Sequence, residues 1–191
     1  MSAIADNESL LKRLESVERE LREFRQRHAV EEVLLRYARA LDWLDDALLE
    51  TVIFDDAVID YGFFKGSGRE FKPILMQVER SAAKRWHGST QVTIQLDGDS
   101  AHVESYQFSV STIPGSPPPQ TTLMNAYGYY IDRMECRNGQ WGMAARKHIL
   151  LAGQFQPDIS GEGMLATLNH LGEATTAHPD YHPARLPRIA P

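Results

Sequence analysis

Residues 122–151, TLMNAYGYYIDRMECRNGQWGMAARKHILL, decide the fold. Strand-forming aromatic and aliphatic residues flank Asn138-Gly139, a dipeptide that tolerates the left-handed angles of a two-residue hairpin turn. The stretch reads as two long antiparallel strands. Before it, STQVTIQLDGDSAHVESYQFSVSTI (89–113) reads as a second hairpin, turning at Asp97-Gly98-Asp99. PGSPPPQ (114–120) between them is too proline-rich for strand or helix interior, so it is a loop at one end of the sheet.

Upstream of Trp86-His87 the apolar period changes from about 2 to about 3.6. Val30, Val33, Leu34, Tyr37, Ala38, Leu41 and Leu44 share one helical face. Asp45 or Asp46 can cap a short helix over DDALLETVIF (45–54), followed by a strand over VIDYGF (58–63). REFKPILMQVERSAAK (69–84) predicts another helix, with Pro73 tolerable in its first turn. At the N-terminus, Leu10, Leu14, Val17, Leu21 and Phe24 form an apolar seam of about two heptads, too short to stand alone. That seam covers its own domain or a second protomer. Beyond Phe155 the chain is rich in Pro, His and Gly; GEGMLATLNHLG (161–172) can hold one short helix, and HPDYHPARLPRIAP (178–191) looks extended or disordered.

Helices first and strands later, without βαβ alternation, predict an α+β domain. The expected architecture is a cone-shaped curved antiparallel sheet with helices packed on one face, enclosing a pocket. The expected parts are an N-terminal amphipathic helix (1–27), the cone domain (28–155) and a Pro/His-rich tail (156–191).

The 191 residues carry 20 Lys+Arg against 26 Asp+Glu, a formal charge of −6, which leaves no basic stripe to neutralise phosphates. Nucleic acid is excluded as a partner on that ground. Cys136 is the single cysteine, so neither a disulfide framework nor a cysteine-based zinc site is expected. The N-terminus has no apolar signal core and no apolar run is long enough to span a membrane, making a cytoplasmic protein the expectation.

Three short segments carry a resemblance: YARALD (37–42), WHGSTQVTI (86–94) and WGMAAR (141–146). In that order they resemble the nuclear-transport-factor-2-like superfamily and its SnoaL-like branch, over about residues 28–152. That branch holds hexachlorocyclohexane dehydrochlorinase, bile-acid 7α-dehydratase, scytalone dehydratase, polyketide cyclases and diarylpropane lyases. The resemblance implies that Asp42 pairs with His87. It places Tyr37 where the bile-acid enzyme has a catalytic tyrosine, and Arg146 where the dehydrochlorinase has its leaving-group arginine.

The chemistry of these side chains agrees. A neutral imidazole is a usable general base near neutral pH, and a carboxylate orients it. Tyr37 lies about 140° around an ideal helix from Asp42, so both reach one cavity only if the helix ends or bends there. Its phenol is either a proton donor to a leaving oxygen or a core aromatic. Arg146 is either turned to solvent or buried, and if buried it wants Asp42, a substrate carboxylate or a departing anion. Tyr61, Phe64, Trp86, Asn125, Tyr127, Tyr129 and His148 sit on elements expected to line or rim the cone and to suit an aromatic substrate. His178 and His182 lack a third ligand, so no metal is expected, and no motif calls for an organic cofactor.

The expected function is a cofactor-independent lyase acting on a small hydrophobic molecule of aromatic type, releasing water, halide or a small carbonyl fragment such as formaldehyde. An isomerase or cyclase, or a non-catalytic binding module, is the alternative. The expected assembly is a homo-oligomer, dimer or trimer.

Overall fold

The computed structural model describes residues 2–113 and 121–182, with side chains from residue 7 onward; the proline-rich loop 114–120 and the end of the tail lie outside them. Helix α1 (Ser2–Asp42) is followed by the short α2 (Asp46–Glu50), strand β1 (Ile53–Asp60), strand β2 (Lys65–Ser67) and helix α3 (Gly68–Ser81). Four long strands complete the sheet: β3 (Arg85–Asp97), β4 (Ser100–Thr112), β5 (Thr122–Arg137) and β6 (Gln140–Pro157). The α+β expectation holds: the six strands, in the order β2-β1-β6-β5-β4-β3, form one curved, unclosed sheet.

All neighbouring strands are antiparallel except β1 and β6, which run parallel. The wholly antiparallel expectation is corrected there. β1 enters after the helices instead of from a hairpin, so no turn dictates its direction. Both long hairpins turn where expected; Asn138 and Gly139 have φ of 53° and 79°, the left-handed pair that a tight turn joining right-twisted strands requires. One-residue irregularities interrupt β3–β4 between Thr90 and Thr93, and β5–β6 between Tyr127/Gly128 and Arg133/Met134. Such bulges bend the strands and give the sheet a concave face.

The N-terminal seam and the Val30 pattern belong to one continuous helix, about 60 Å long, unbroken across residues 27 and 28. From Val30 onward its apolar face is buried in the core with Phe71, Leu75 and Met76 of α3 and Val103, Tyr130 and Met134 of the sheet. Leu10, Leu14, Val17, Leu21 and Phe24 are exposed on the projecting half. α1 stops at Asp42 because Leu44 turns left-handed (φ 54°) and the Asp45 N–H reaches back 2.8 Å to the Ala40 carbonyl.

Helix 45–54 is shorter than expected: α2 ends at Glu50, and Ile53 and Phe54 already belong to β1. α3 begins with a reciprocal cap between Ser67 and Glu70, which places Pro73 in the second turn instead of the first. At Gly68 a Cβ would come 2.1 Å from the Phe54 carbonyl oxygen, so only glycine lets α3 start this close to β1. The tail also departs from expectation. A 3₁₀ turn (Gly163–Thr167) precedes a return over the end of α1, where Trp43 packs against His178 and Tyr181, and the Arg39 guanidinium donates to the His182 carbonyl at 2.5 Å.

Candidate functional site

The concave face changes character along β4. Ala101 and Val103 are core residues; Ser105 and Gln107, next on the same face by two-residue alternation, are buried polar groups. Two clusters lie at this polar end.

The first joins three elements. Asp42 stands at the last position of α1, where the helix stop frees its side chain, and His87 is the third residue of β3. His87 Nδ1 and Asp42 Oδ1 are 2.8 Å apart, with side chains 12% and 18% exposed. A carboxylate can only accept, so Nδ1 carries the hydrogen and, in the neutral ring, Nε2 holds the lone pair. On the Nε2 side, Glu79 Oε1 lies 3.6 Å away. Burial pushes the His87 imidazole down, but the Asp42 hydrogen bond and the Glu79 charge outweigh it and hold it above the usual histidine range. Burial raises the Glu79 carboxyl, against the pull of His87 and Arg85. Arg85 secures the segment before His87 by donating to the carbonyls of Ala82 (2.6 Å) and Ala174 (2.9 Å).

The second cluster surrounds Arg146. Its Nε and Nη2 donate to both Asp132 oxygens at 2.8 and 2.7 Å, a bidentate pair with both side chains fully buried. The guanidinium lies against the rings of both Tyr37 and Tyr130, 4.2 and 3.8 Å from their centroids. Tyr61 bonds through its hydroxyl to Tyr37 (2.9 Å) and Tyr130 (3.0 Å), and its ring stacks on His148 at 4.6 Å. Burial raises all three phenols, so they stay protonated. His148 is instead lowered, by burial and then by Arg146. Phe64 packs beside this group on Phe71. Ser105 Oγ, Gln107 Oε1 and Arg146 Nη1 are buried with no hydrogen-bond partner among the described residues. Register places Ser105 beside Tyr130, Gln107 beside Ser89 and Gly128, and His87 beside Ser109, so the polar wall runs from one cluster to the other.

Asp42 and His87 therefore meet as expected from sequence, while Tyr37 and Arg146 meet one another instead of the dyad. Arg146 is satisfied by Asp132, which was not among its expected partners. Tyr61, Phe64 and His148 adjoin the second cluster. Trp86 and Tyr127 do not line the concave face: register aligns Trp86 with Val110, and Tyr127 with Phe108 and Gly88, on the face opposite His87; Asn125 shares their register beside Val110 but, unlike them, is buried. Adjacent strand residues point to opposite sides, so Trp86 and His87 cannot both look inward. Trp86, Phe108 and Tyr127 form an aromatic ladder on the convex side, and Tyr106 packs on Tyr129 beside it.

Glu79 went unrecognised in the sequence. The available signal was its spacing: Phe71, Leu75 and Glu79 succeed one another at four-residue steps, which puts a carboxylate on the buried stripe of α3. A groove of about 490 Å³ lies elsewhere, between α1 and β3, lined by Arg19, Arg22, Gln26, Arg27, Ile94 and Leu96. It contains none of the clustered acid–base groups. No helix among the described residues is long and apolar enough to cross a membrane.

A helix-backed, curved, open sheet with polar groups at one end of its concave face is the cone architecture of the nuclear-transport-factor-2-like fold. Residues 22–147 match the model of the SnoaL-like domain family, and the chain belongs to that family. Among solved structures it is similar to the Kfla4162 protein of Kribbella flavida (17% identity, 69% of this chain, 95% of that one, TM-score 0.62). It is also similar to a scytalone dehydratase candidate from Novosphingobium aromaticivorans (22% identity, 71% and 88% covered, TM-score 0.60). A third is the type-3 hexachlorocyclohexane dehydrochlorinase of Novosphingobium barchaimii (18% identity, 72% and 93% covered, TM-score 0.60). These likenesses are of fold. A sequence comparison with curated proteins returns no match.

Proposed function

We propose that this chain is a cofactor-independent lyase for a small hydrophobic, aromatic molecule, with His87 as general base and Asp42 as the carboxylate that orients it. The 2.8 Å Asp42–His87 bond, set in a largely closed concave interior, carries the reading. Family membership and the dehydratase and dehydrochlorinase folds among its likenesses support it. His87 Nε2 takes a proton from substrate carbon, the C–H electrons form a double bond, and the β-substituent departs with its bonding pair. If the proton comes instead from a hydroxyl, a carbonyl forms and the adjacent C–C bond breaks, releasing formaldehyde and a carbanion that is then protonated. Tyr37, as a neutral hydrogen-bond donor, and Arg146, through its unpartnered Nη1, assist the departing group. The unpartnered Ser105 hydroxyl and Gln107 amide oxygen suit a hydroxyl-bearing substrate, whose O–H can donate to them.

The aldol of benzaldehyde and acetone is a direct probe, since its dehydration to benzalacetone is followed by ultraviolet absorbance. His87→Ala and Asp42→Asn are each expected to cut turnover by about 10³–10⁴-fold with the fold intact by circular dichroism. Full turnover in either variant overturns the reading. The closed Arg146–Asp132 pair and its three linked phenols favour one rival, a binding module. Saturable binding of the probe without turnover in the wild type would decide for that rival.

A further inference from the structure

Three titratable side chains converge at one end of the concave interior: Asp42 from α1, Glu79 from the last turn of α3 and His87 from β3. The two carboxyls occupy opposite nitrogens of one imidazole. Asp42 is hydrogen-bonded to Nδ1 at 2.8 Å, whereas Glu79 Oε1 is 3.6 Å from Nε2. That gap exceeds a hydrogen bond, so both atoms can turn to a substrate. The Glu79 side chain is only 9% exposed, and among the described residues His87 is its one ionic partner within 4 Å. The nearby cation, Arg85, engages the carbonyls of Ala82 and Ala174 and, at 3.5 Å, that of Glu79, and forms no ion pair with the Glu79 carboxylate.

A carboxyl buried without donors of its own is held towards its neutral form. Glu79 Oε1 and His87 Nε2, 3.6 Å apart, are placed to exchange a proton.

We propose that Glu79 is a second proton-carrying group of this site, which protonates the departing oxygen of the substrate and then recovers the proton that His87 removed. The inference rests on the lyase reading above. The C–H proton goes to Nε2 and its electrons form the double bond. The C–O bonding pair goes to oxygen, which takes the Glu79 proton and leaves as water. Imidazolium and carboxylate now face each other, and transfer from Nε2 to Oε1 restores both groups. C–H and C–OH have become C=C and water, with no net proton exchanged with solvent. A halide departs as an anion and needs no such donor. The arrangement therefore selects a β-hydroxy compound over a β-halide as the substrate class.

The test compares the full chain with Glu79→Gln and Glu79→Asp, checking each fold by circular dichroism. With isotope-labelled histidine, His87 is expected to titrate at lower pH in Glu79→Gln than in the wild type, with Glu79→Asp between them. On the benzaldehyde–acetone aldol, Glu79→Gln is expected to lose about 100-fold or more in turnover. Chloride loss from the β-chloro analogue should fall less than ten-fold. An unchanged His87 titration in Glu79→Gln overturns the shared proton. Equal losses on the two probes overturn the leaving-group role. A wild type that turns over neither probe overturns the substrate class and the lyase reading, while the titration still decides whether His87 and Glu79 share a proton.

Discussion

His87 Nδ1 lies 2.8 Å from Asp42 Oδ1, a bond between the third residue of a long strand and the final residue of a 41-residue helix. Both ends are held independently of the bond. The left-handed wrap at Leu44 fixes the end of α1, and Arg85 ties the start of β3 to neighbouring carbonyls. An imidazole positioned in this way meets a substrate without first ordering itself, which is the condition for efficient proton transfer.

The pH dependence of turnover follows from the raised His87. A general base must be neutral while Glu79, in the proposed role, must carry a proton, so the active form of the pair holds one proton. Turnover is expected to rise with pH as the second proton leaves and to fall as the last one leaves, above the ordinary histidine range. Asp42→Asn removes the hydrogen-bonding charge that raises the ring, and its residual activity should begin its fall at lower pH. Rate profiles of the two proteins on the same aldol probe test this; coincident alkaline limbs would reject the role of Asp42.

Stability should respond to the same group. A histidine whose folded value is raised binds its proton more tightly when folded, so its contribution is complete below the unfolded value. That contribution is lost as pH rises through the higher folded value. Glu79, also raised, has the same sign. Urea denaturation between pH about 6 and about 8 is expected to show a decline in the wild type that is smaller in His87→Gln.

Arg146 and Asp132 predict a stability asymmetry. Asp132→Ala leaves a buried guanidinium uncompensated and is expected to destabilise by about 3–5 kcal/mol. Replacing both members together, Asp132→Leu with Arg146→Met, should recover most of that loss in chemical denaturation. Equal instability of the single and double variants would show that the pair acts through packing alone.

The apolar seam from Leu10 to Phe24 is exposed, as are Trp86 and Tyr127 on the convex face. Such surfaces call for cover, and the protein is expected to be a dimer or trimer by light scattering. Leu14→Glu combined with Leu21→Glu should lower that mass; a monomeric wild type would remove the seam from consideration.

Much of this was legible in local sequence. Asn138-Gly139 and Asp97-Gly98-Asp99 announce their hairpins, because turn chemistry depends on a few adjacent backbone angles. The Val30–Leu41 face and the α3 stripe are visible for the same reason, as spacing along one element. The sequence reading places Trp86 on the cone, although its neighbour His87 must point to the other face. Glu79 was overlooked although it continues the spacing of Phe71 and Leu75.

By itself, then, the sequence determined the order of helices and strands, the two hairpin turns and, through the three resembling segments, the pairing of Asp42 with His87. Only the tertiary structure decided which charged groups meet in the interior. From the Asn138-Gly139 turn, Arg137 faces Gln140 and Met134 faces Met143. Carried onward unchanged, that register would set Arg146 opposite Ile131. The bulge between Arg133 and Met134 shifts it by one residue and sets Arg146 opposite Asp132, with both side chains on the concave face. A one-residue slip exchanges the partners of every later side chain. Whether a strand bulges there depends on what the curved sheet must enclose, and that is a property of the packed whole.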